Sequence, residues 1–360
     1  MYKITVMKQR IFRITLALSL LLCLILTSCE TEPEKNKYSK YSMDYFDTVI
    51  TVTGYENTEE EFDAVADEIL SEFAEYHRLY SIYHRFDGME NLCTVNELRD
   101  GTHRTVKVDR KIIDMLLFSK DMYTLTGGTV NIAMGSVLSL WHDYRTVGMD
   151  NPAHASLPPM EKLKNAALHT DISGMVIDEE NLTVTLGDPL MKLDVGAIAK
   201  GYAVECVAKS LEEKGITGYI LNVGGNIRAI GTKPDGSLWN IGIENPMGGD
   251  DYLAYVDISG SRSVVTSGSY QRYYYVDGKA YHHIIDPETL MPAEGFVSVS
   301  VICGDSGMGD ALSTALFCMT EEDGLAIVES LQNTEAMWSR ADGTMIVSSG
   351  WSKYLKKQGK

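Results

Sequence analysis

The spacing of apolar residues along this chain changes several times, and each change marks an element. Between 46 and 55, Val49, Thr51 and Val52 lie among other β-formers and predict a first strand. Phe62, Val65, Ala66, Ile69, Phe73 and Tyr76 then recur three and four apart, which predicts a helix from Thr58, where Thr58 and Glu61 fit a capping box. Ile112, Ile113, Leu116, Leu117 and Tyr123 repeat that spacing after Asp109, a capping residue, and Gly127-Gly128 stops it. The stretch 141–168, with Pro152, Pro158 and Pro159, reads as a loop and a short helix that offers no chemistry. Beyond Tyr219, short β-forming runs at 227–231, 239–244, 253–258, 263–266 and 271–276 follow one another, with Pro234-Asp235-Gly236 and Asp277-Gly278 as turns. Residues 297–303 have the character of a central strand, and a last hairpin turns at Asp342-Gly343. The pattern is α+β: mixed and antiparallel sheets flanked by helices in one compact body.

At 193–203 the chain changes from an extended pattern to a helical one. Ile198, Tyr202, Cys206, Val207 and Leu211 keep helical spacing until Gly215, so Asp194 sits at a strand-to-helix junction with Lys200 one turn in. Gly196 and Gly201 let backbone approach something closely, and the helix start offers N–H groups suited to a phosphate. The same residues also fit an ordinary junction with a capping Asp and a solvated Lys. A second stretch, 307–317, is small and apolar except for Asp310, Ser313 and Thr314, and reads as a buried helix. Asp310 and Thr314 are four apart, so a helix puts a carboxylate and a hydroxyl on one face. Such hard oxygen ligands suit Mg²⁺, with the Ala197 carbonyl as a third ligand and water or phosphate completing the shell. An N-cap Asp with a Thr bonded back to its own helix is the structural alternative.

The N-terminus changes the setting. Lys3, Lys8, Arg10 and Arg13 precede an apolar run at 14–26 that is short for a membrane span, as in a signal peptide. Leu26-Thr27-Ser28-Cys29 has the form of a bacterial lipobox, so residues 1–28 are expected to be cleaved and Cys29 lipidated, with 29–42 as a lipidated tether and 43–360 as the folded domain. The expected location is the cell membrane, anchored on its extracytoplasmic, periplasmic or extracellular, face. The chain carries 32 basic and 50 acidic residues; residues 1–28 hold four of the former and none of the latter, leaving 28 − 50 = −22. That excludes nucleic acid as a favoured partner and requires a local device, a metal or a helix end, to hold any phosphate. Cys93, Cys206, Cys303 and Cys318 show no CxxC spacing, so neither a zinc site nor a disulfide framework is indicated.

Five motifs, in order, resemble the ApbE family of FAD:protein FMN transferases: the run at 193–202, Asn222-Val223-Gly224-Gly225-Asn226, Thr266-Ser267-Gly268, His283-Ile284-Ile285-Asp286-Pro287-Glu288-Thr289, and the run at 310–316. The likeness extends from about Met43 to near Trp351. It implies a T-fold-like ApbE body and a Mg²⁺-dependent transfer of the FMN moiety of FAD to a Ser or Thr hydroxyl of an exported or membrane redox subunit, with release of AMP. It implies His283 as the base, since a neutral imidazole is suited to taking the hydroxyl proton; His282 faces the other way on its strand. It assigns Asp310, Thr314 and the Ala197 carbonyl to the metal. Flavin contacts implied are Met43, Tyr83, Thr129, Val130, Asn131, Asp194, Lys200 and His283. The chain departs from the family at Asn131, where Asp is common, and at Met43-Asp44, where Met-Gly is often found. A FAD pyrophosphatase releasing FMN and AMP, or a non-catalytic flavin-binding lipoprotein, would use the same features.

Overall fold

A computed structural model describes residues 35–356 apart from 100, 101, 104 and 250. At its centre is an eight-stranded sheet of β1 (Asn36–Ser42), β2 (Ile50–Glu56), β3 (Tyr219–Val223), β4 (Asn226–Ile230), β5 (Arg262–Gly268), β6 (Ser298–Cys303), β7 (Glu335–Ser339) and β8 (Met345–Val347), lying side by side in that order. Every neighbouring pair is antiparallel. The α+β expectation holds, but this sheet is antiparallel throughout where a mixed one was anticipated. Parallel pairing among the described residues is confined to a bridge between Met134 and Lys192.

The helices are α1 (Glu59–Tyr80), α2 (Leu92–Asn96), α3 (Arg110–Leu125), α4 (Gly135–Asp150), α5 (Met160–Ala167), α6 (Ala199–Glu213), α7 (Ser306–Cys318) and α8 (Glu321–Ser330). Phe62, Ala66, Ile69 and Phe73 of α1 and Ala203, Val207 and Leu211 of α6 form one core with Ile50, Val52, Leu221 and Val223 of the sheet. Alongside them, Leu312 and Leu316 of α7 pack on Val299 and Val301 of β6. A separate hairpin, Trp239–Ile243 with Ala254–Ile258, covers the other face through Trp239, Ile241, Val256 and Ile258. All of β6 is therefore buried, which is why its sequence reads as a central strand.

Two expectations are corrected here. The tether was expected to run through residue 42, yet Asn36–Ser42 pairs along its whole length with β2. An edge strand needs few apolar contacts: Tyr38 stacks on Phe62 with centroids 5.6 Å apart, while lysine and serine occupy outward positions, so the strand looks like linker. The stretch from 141 was expected to open as a loop, but Trp141 lies inside α4 and is buried. No side chain caps that helix, so the usual start signal is missing from the sequence. Gly135 instead takes its place by close approach, its amide donating to Lys192 O at 3.0 Å in a space where a Cβ would lie 2.7 Å from the Lys192 carbonyl carbon.

Candidate active site

The two sequence stretches singled out at 193–203 and 307–317 meet. Asp310, in the second turn of α7 and 6% exposed, receives Lys200 Nζ on Oδ1 at 2.9 Å and Gly201 N on Oδ2 at 2.8 Å. Lys200 is thus an ion-pair partner rather than a solvated lysine. The glycine at 201 accommodates a helix, since a Cβ there would run into Ser306 O and stand 2.5 Å from Asp310 Cβ. Gly201 is the third residue of α6, so its amide has no acceptor inside the helix, and Asp310 supplies one; Ala197 O lies just ahead of the helix. Thr314 Oγ1 donates to Asp310 O at 3.2 Å and Ser313 Oγ meets Ser267 Oγ at 2.8 Å, with Thr314 Oγ1 3.5 Å from the same serine. Asp305, not Asp310, caps the helix, accepting from Met308 N at 2.9 Å.

The support behind this corner is ionic and buried. Glu205 on α6 accepts from Arg228 Nε at 2.9 Å, from Arg228 Nη2 at 3.1 Å and from Ser306 N at 2.8 Å. Burial pushes its carboxyl up, but the Arg228 guanidinium overrides that and holds it below the usual range. Asn226, in the turn after Gly224-Gly225, bonds the Ser306 hydroxyl and reaches the Ser306 carbonyl at 3.4 Å. Ser306, first residue of α7, is held by both α6 and the sheet.

Asp194 lies one turn before α6. Its Oδ1 accepts from Gly196 N at 2.9 Å, and its own amide donates to Ile132 O at 2.7 Å, tying it to the 129–134 loop. Burial raises its carboxyl above the ordinary value, against the Gly196 amide and the charges of His142 and Arg145. In the loop, the Val130 side chain is buried in the main core. Asn131 spends its side chain internally, Nδ2 donating to Thr170 O at 2.8 Å and Oδ1 accepting from Ala133 N at 2.9 Å. What Val130 and Asn131 can offer a ligand is therefore backbone, while the half-buried Thr129 also keeps its hydroxyl.

His283 stands just past the hairpin Tyr273–Val276 and Lys279–His282. Its Nδ1 is 3.2 Å from Arg272 O. The carbonyl can only accept, so Nδ1 carries the hydrogen and Nε2 keeps a lone pair. Burial, then the charges of Arg272 and Arg145, push the imidazole down to about 3. His282 turns away, its Nε2 on Ala293 O at 2.9 Å and its ring over Phe317. Arg272 also fastens the β1–β2 loop, donating to Asp47 O at 3.0 Å; on that loop Met43 is 69% exposed. Tyr83 is exposed as well, its ring 5.2 Å from that of His142.

Arg145 and His142 on α4 and Arg272 before the hairpin are polar residues that the sequence reading missed, as it missed Glu205, Arg228 and Ser306. A His and an Arg three apart on a helix share a face, and that spacing was the available signal. It went unused because the helix itself was not recognised.

The ApbE family profile matches residues 46–338. A FAD:protein FMN transferase from Klebsiella pneumoniae is 30% identical over 281 residues, covering 76% of this chain and 84% of the relative. Another, from Treponema pallidum, is 33% identical over 260 residues, covering 68% and 70% respectively. The crystal structure of the ApbE protein from Thermotoga maritima superposes with a TM-score of 0.77 at 28% identity, covering 89% of this chain and 100% of that one. The match spans β2 through β6, α6 and α7 and reaches into β7, and the chain belongs to the ApbE family.

Proposed function

We propose that this protein is a FAD:protein FMN transferase, which moves the FMN moiety of FAD to a Ser or Thr hydroxyl of an exported or membrane redox protein and releases AMP. The observation that carries this reading is the Asp310 corner: a nearly buried carboxylate that accepts from the first turn of α6 and shares its own helix with the Thr314 hydroxyl, with the Ala197 carbonyl just ahead of α6 in the chain. Among the described residues no cluster of three or more His, Cys, Asp or Glu side chains forms a metal cage. One carboxylate, one hydroxyl and one carbonyl fit Mg²⁺, which keeps several positions for water and substrate phosphate, and each Asp310 oxygen retains a lone pair beyond its present bond. Asp310, Thr314 and Ala197 O would hold the ion, which would neutralise pyrophosphate charge and make AMP a better leaving group.

The chain's own residues do the rest. Lys200 and Gly201 N–H fix the Asp310 carboxylate in place. His283 presents Nε2, neutral at physiological pH, to the acceptor hydroxyl. As the acceptor oxygen bonds to the phosphorus on the FMN side, the bond from that phosphorus to the bridging oxygen breaks, AMP leaves with the electron pair, and the hydroxyl proton goes to Nε2. The lipobox at Cys29 supports, in the same reading, a lipid anchor on the extracytoplasmic face of the cell membrane; Cys29→Ser should move the protein to the soluble fraction.

The test is intact-mass analysis of an acceptor domain incubated with FAD, Mg²⁺ and the enzyme. A gain of one FMN with wild type, lost with Asp310→Ala and His283→Ala, is expected. Free FMN and AMP with no gain in acceptor mass would mean a pyrophosphatase instead; tight FAD binding with neither product would mean a flavin carrier.

A further inference from the structure

Arg145 and Arg272 reach the site from different insertions, α4 lying between β2 and β3 and Arg272 between β5 and β6. Both guanidiniums nevertheless act on His283, and burial and then the Arg272 charge weaken the hold of Arg145 on its proton. Arg145 is half-buried, and its polar contact is Nη2 to His142 Nδ1 at 3.2 Å. Among the described residues no carboxylate stands within ion-pair distance of it, and one of its five N–H donors is engaged. Asp194 feels its charge but gives its Oδ1 to the Gly196 amide. Arg272 meets Asp47 Oδ2 at 3.2 Å, but that carboxylate is 94% exposed and the pair is weak.

The contrast with the other cations nearby is informative. Lys200, Lys209, Lys214 and Arg228 each contact a carboxylate within 4 Å. In a chain of net charge −18, two guanidiniums on elements that pack together, Gly148 of α4 lying against the ring of Tyr274 two residues past Arg272, with no acid in ion-pair contact with Arg145, form an arrangement that is stabilised by an incoming anion. The planar fork of arginine matches phosphate oxygens two at a time.

We propose that Arg145 and Arg272 form a two-arginine clamp for a phosphoryl anion, with the pyrophosphate of the dinucleotide as that anion and Arg145 as the inner jaw. This deepens the flavin-transfer reading and rests on it for the identity of the ligand. The clamp also links binding to chemistry, because a phosphoryl group between the guanidiniums offsets the charge that disfavours a proton on His283.

Binding measurements test the clamp without relying on turnover. Wild type, Arg145→Gln, Arg145→Lys and Arg272→Gln are titrated with FAD and with riboflavin, which has the same ring system and no phosphate, at fixed Mg²⁺ and salt. Arg145→Gln should weaken FAD binding roughly 10- to 100-fold, the range for a charge-assisted hydrogen bond, and leave riboflavin binding within about twofold. Arg145→Lys should recover part of the loss, and Arg272→Gln should lose less than Arg145→Gln. Equal losses for FAD and riboflavin would make Arg145 a wall of the pocket and overturn the proposal. So would unchanged FAD affinity with a raised half-saturating acceptor concentration, which would assign the arginines to an acidic group on the acceptor. Phosphate-dependent binding that needs Arg145, found without any FMN transfer, would support the clamp while removing the transfer reading.

Discussion

Gly201 and Asp310 stand closer than any other residue type at 201 would allow: the glycine amide donates to Asp310 Oδ2 at 2.8 Å, and a Cβ would lie 2.5 Å from Asp310 Cβ. Gly201→Ala should therefore force α6 and α7 apart and withdraw the amide from the carboxylate. The expected cost is on the order of 1–3 kcal/mol for overpacking, read from urea melts, together with a loss of transfer larger than the stability change explains. A variant that unfolds at a lower urea concentration yet transfers at the wild-type rate would show that the contact supports the fold alone.

Lys200 holds the carboxylate to which, in the proposed function, a divalent cation would bind. Lys200 is 23% exposed at its side chain and Asp310 8%, so Lys200→Met leaves a nearly buried charge held by a single amide. Breaking a buried pair costs about 3–5 kcal/mol, and the partial exposure of Lys200 places this one at the low end. Magnesium should raise the melting temperature of the variant more than that of wild type, because the ion restores the missing positive charge. Identical magnesium shifts in the two proteins would mean that the ion does not bind at Asp310.

His283 carries a pH dependence of known sign. Its folded value is pushed to about 3 from an ordinary 6.5, by burial and by Arg272 and Arg145. Between those values the unfolded chain takes up a proton that the folded chain refuses, so stability falls as pH drops from 6.5 toward 3 and is unaffected above 6.5. His283→Gln should lose less stability than wild type between about pH 7 and pH 5, as measured by chemical denaturation. His282 and His77, both also lowered, keep part of the slope in the variant. Parallel profiles for the two proteins would show that His283 titrates normally.

The N-terminal edge sets where a soluble fragment can begin. Starting at Met43 deletes β1 and exposes the backbone edge of β2 along Ile50–Glu56. That fragment should be less stable than one starting at Lys35 and more prone to associate through the bare strand. Size-exclusion chromatography and thermal melts of the two fragments make the comparison; equal melting temperatures with both monomeric would show that β1 contributes little.

The legible parts of this structure were those with short-range signals. Thr58 and Asp109 cap their helices as expected, Asp277-Gly278 turns its hairpin with both residues at positive φ, and β6 reads as buried. Asp310 and Thr314 are on one helix by spacing alone, but the partners of Asp310 are 109 and 110 residues away and no periodicity announces them. Asn131 shows another limit: its place in a motif suggests a ligand contact, and the fold uses both ends of its side chain on backbone groups, which leaves its own backbone for a ligand. Arg145 went unseen because α4 starts against the Lys192 carbonyl instead of at a capping side chain.

The sheet's order has a consequence for when the enzyme comes into being. Its strands lie side by side in the order in which a ribosome makes them, so each can join an edge already present. The pocket follows no such order: Arg272 reaches back 225 residues to Asp47, and α7, which brings the carboxylate, is made after every other contributor. Contacts that span so much chain form late. A chain still emerging can hold its outer loops and most of its sheet and yet have no means of acting on a flavin nucleotide. The site is complete only with α7 seated on Gly201.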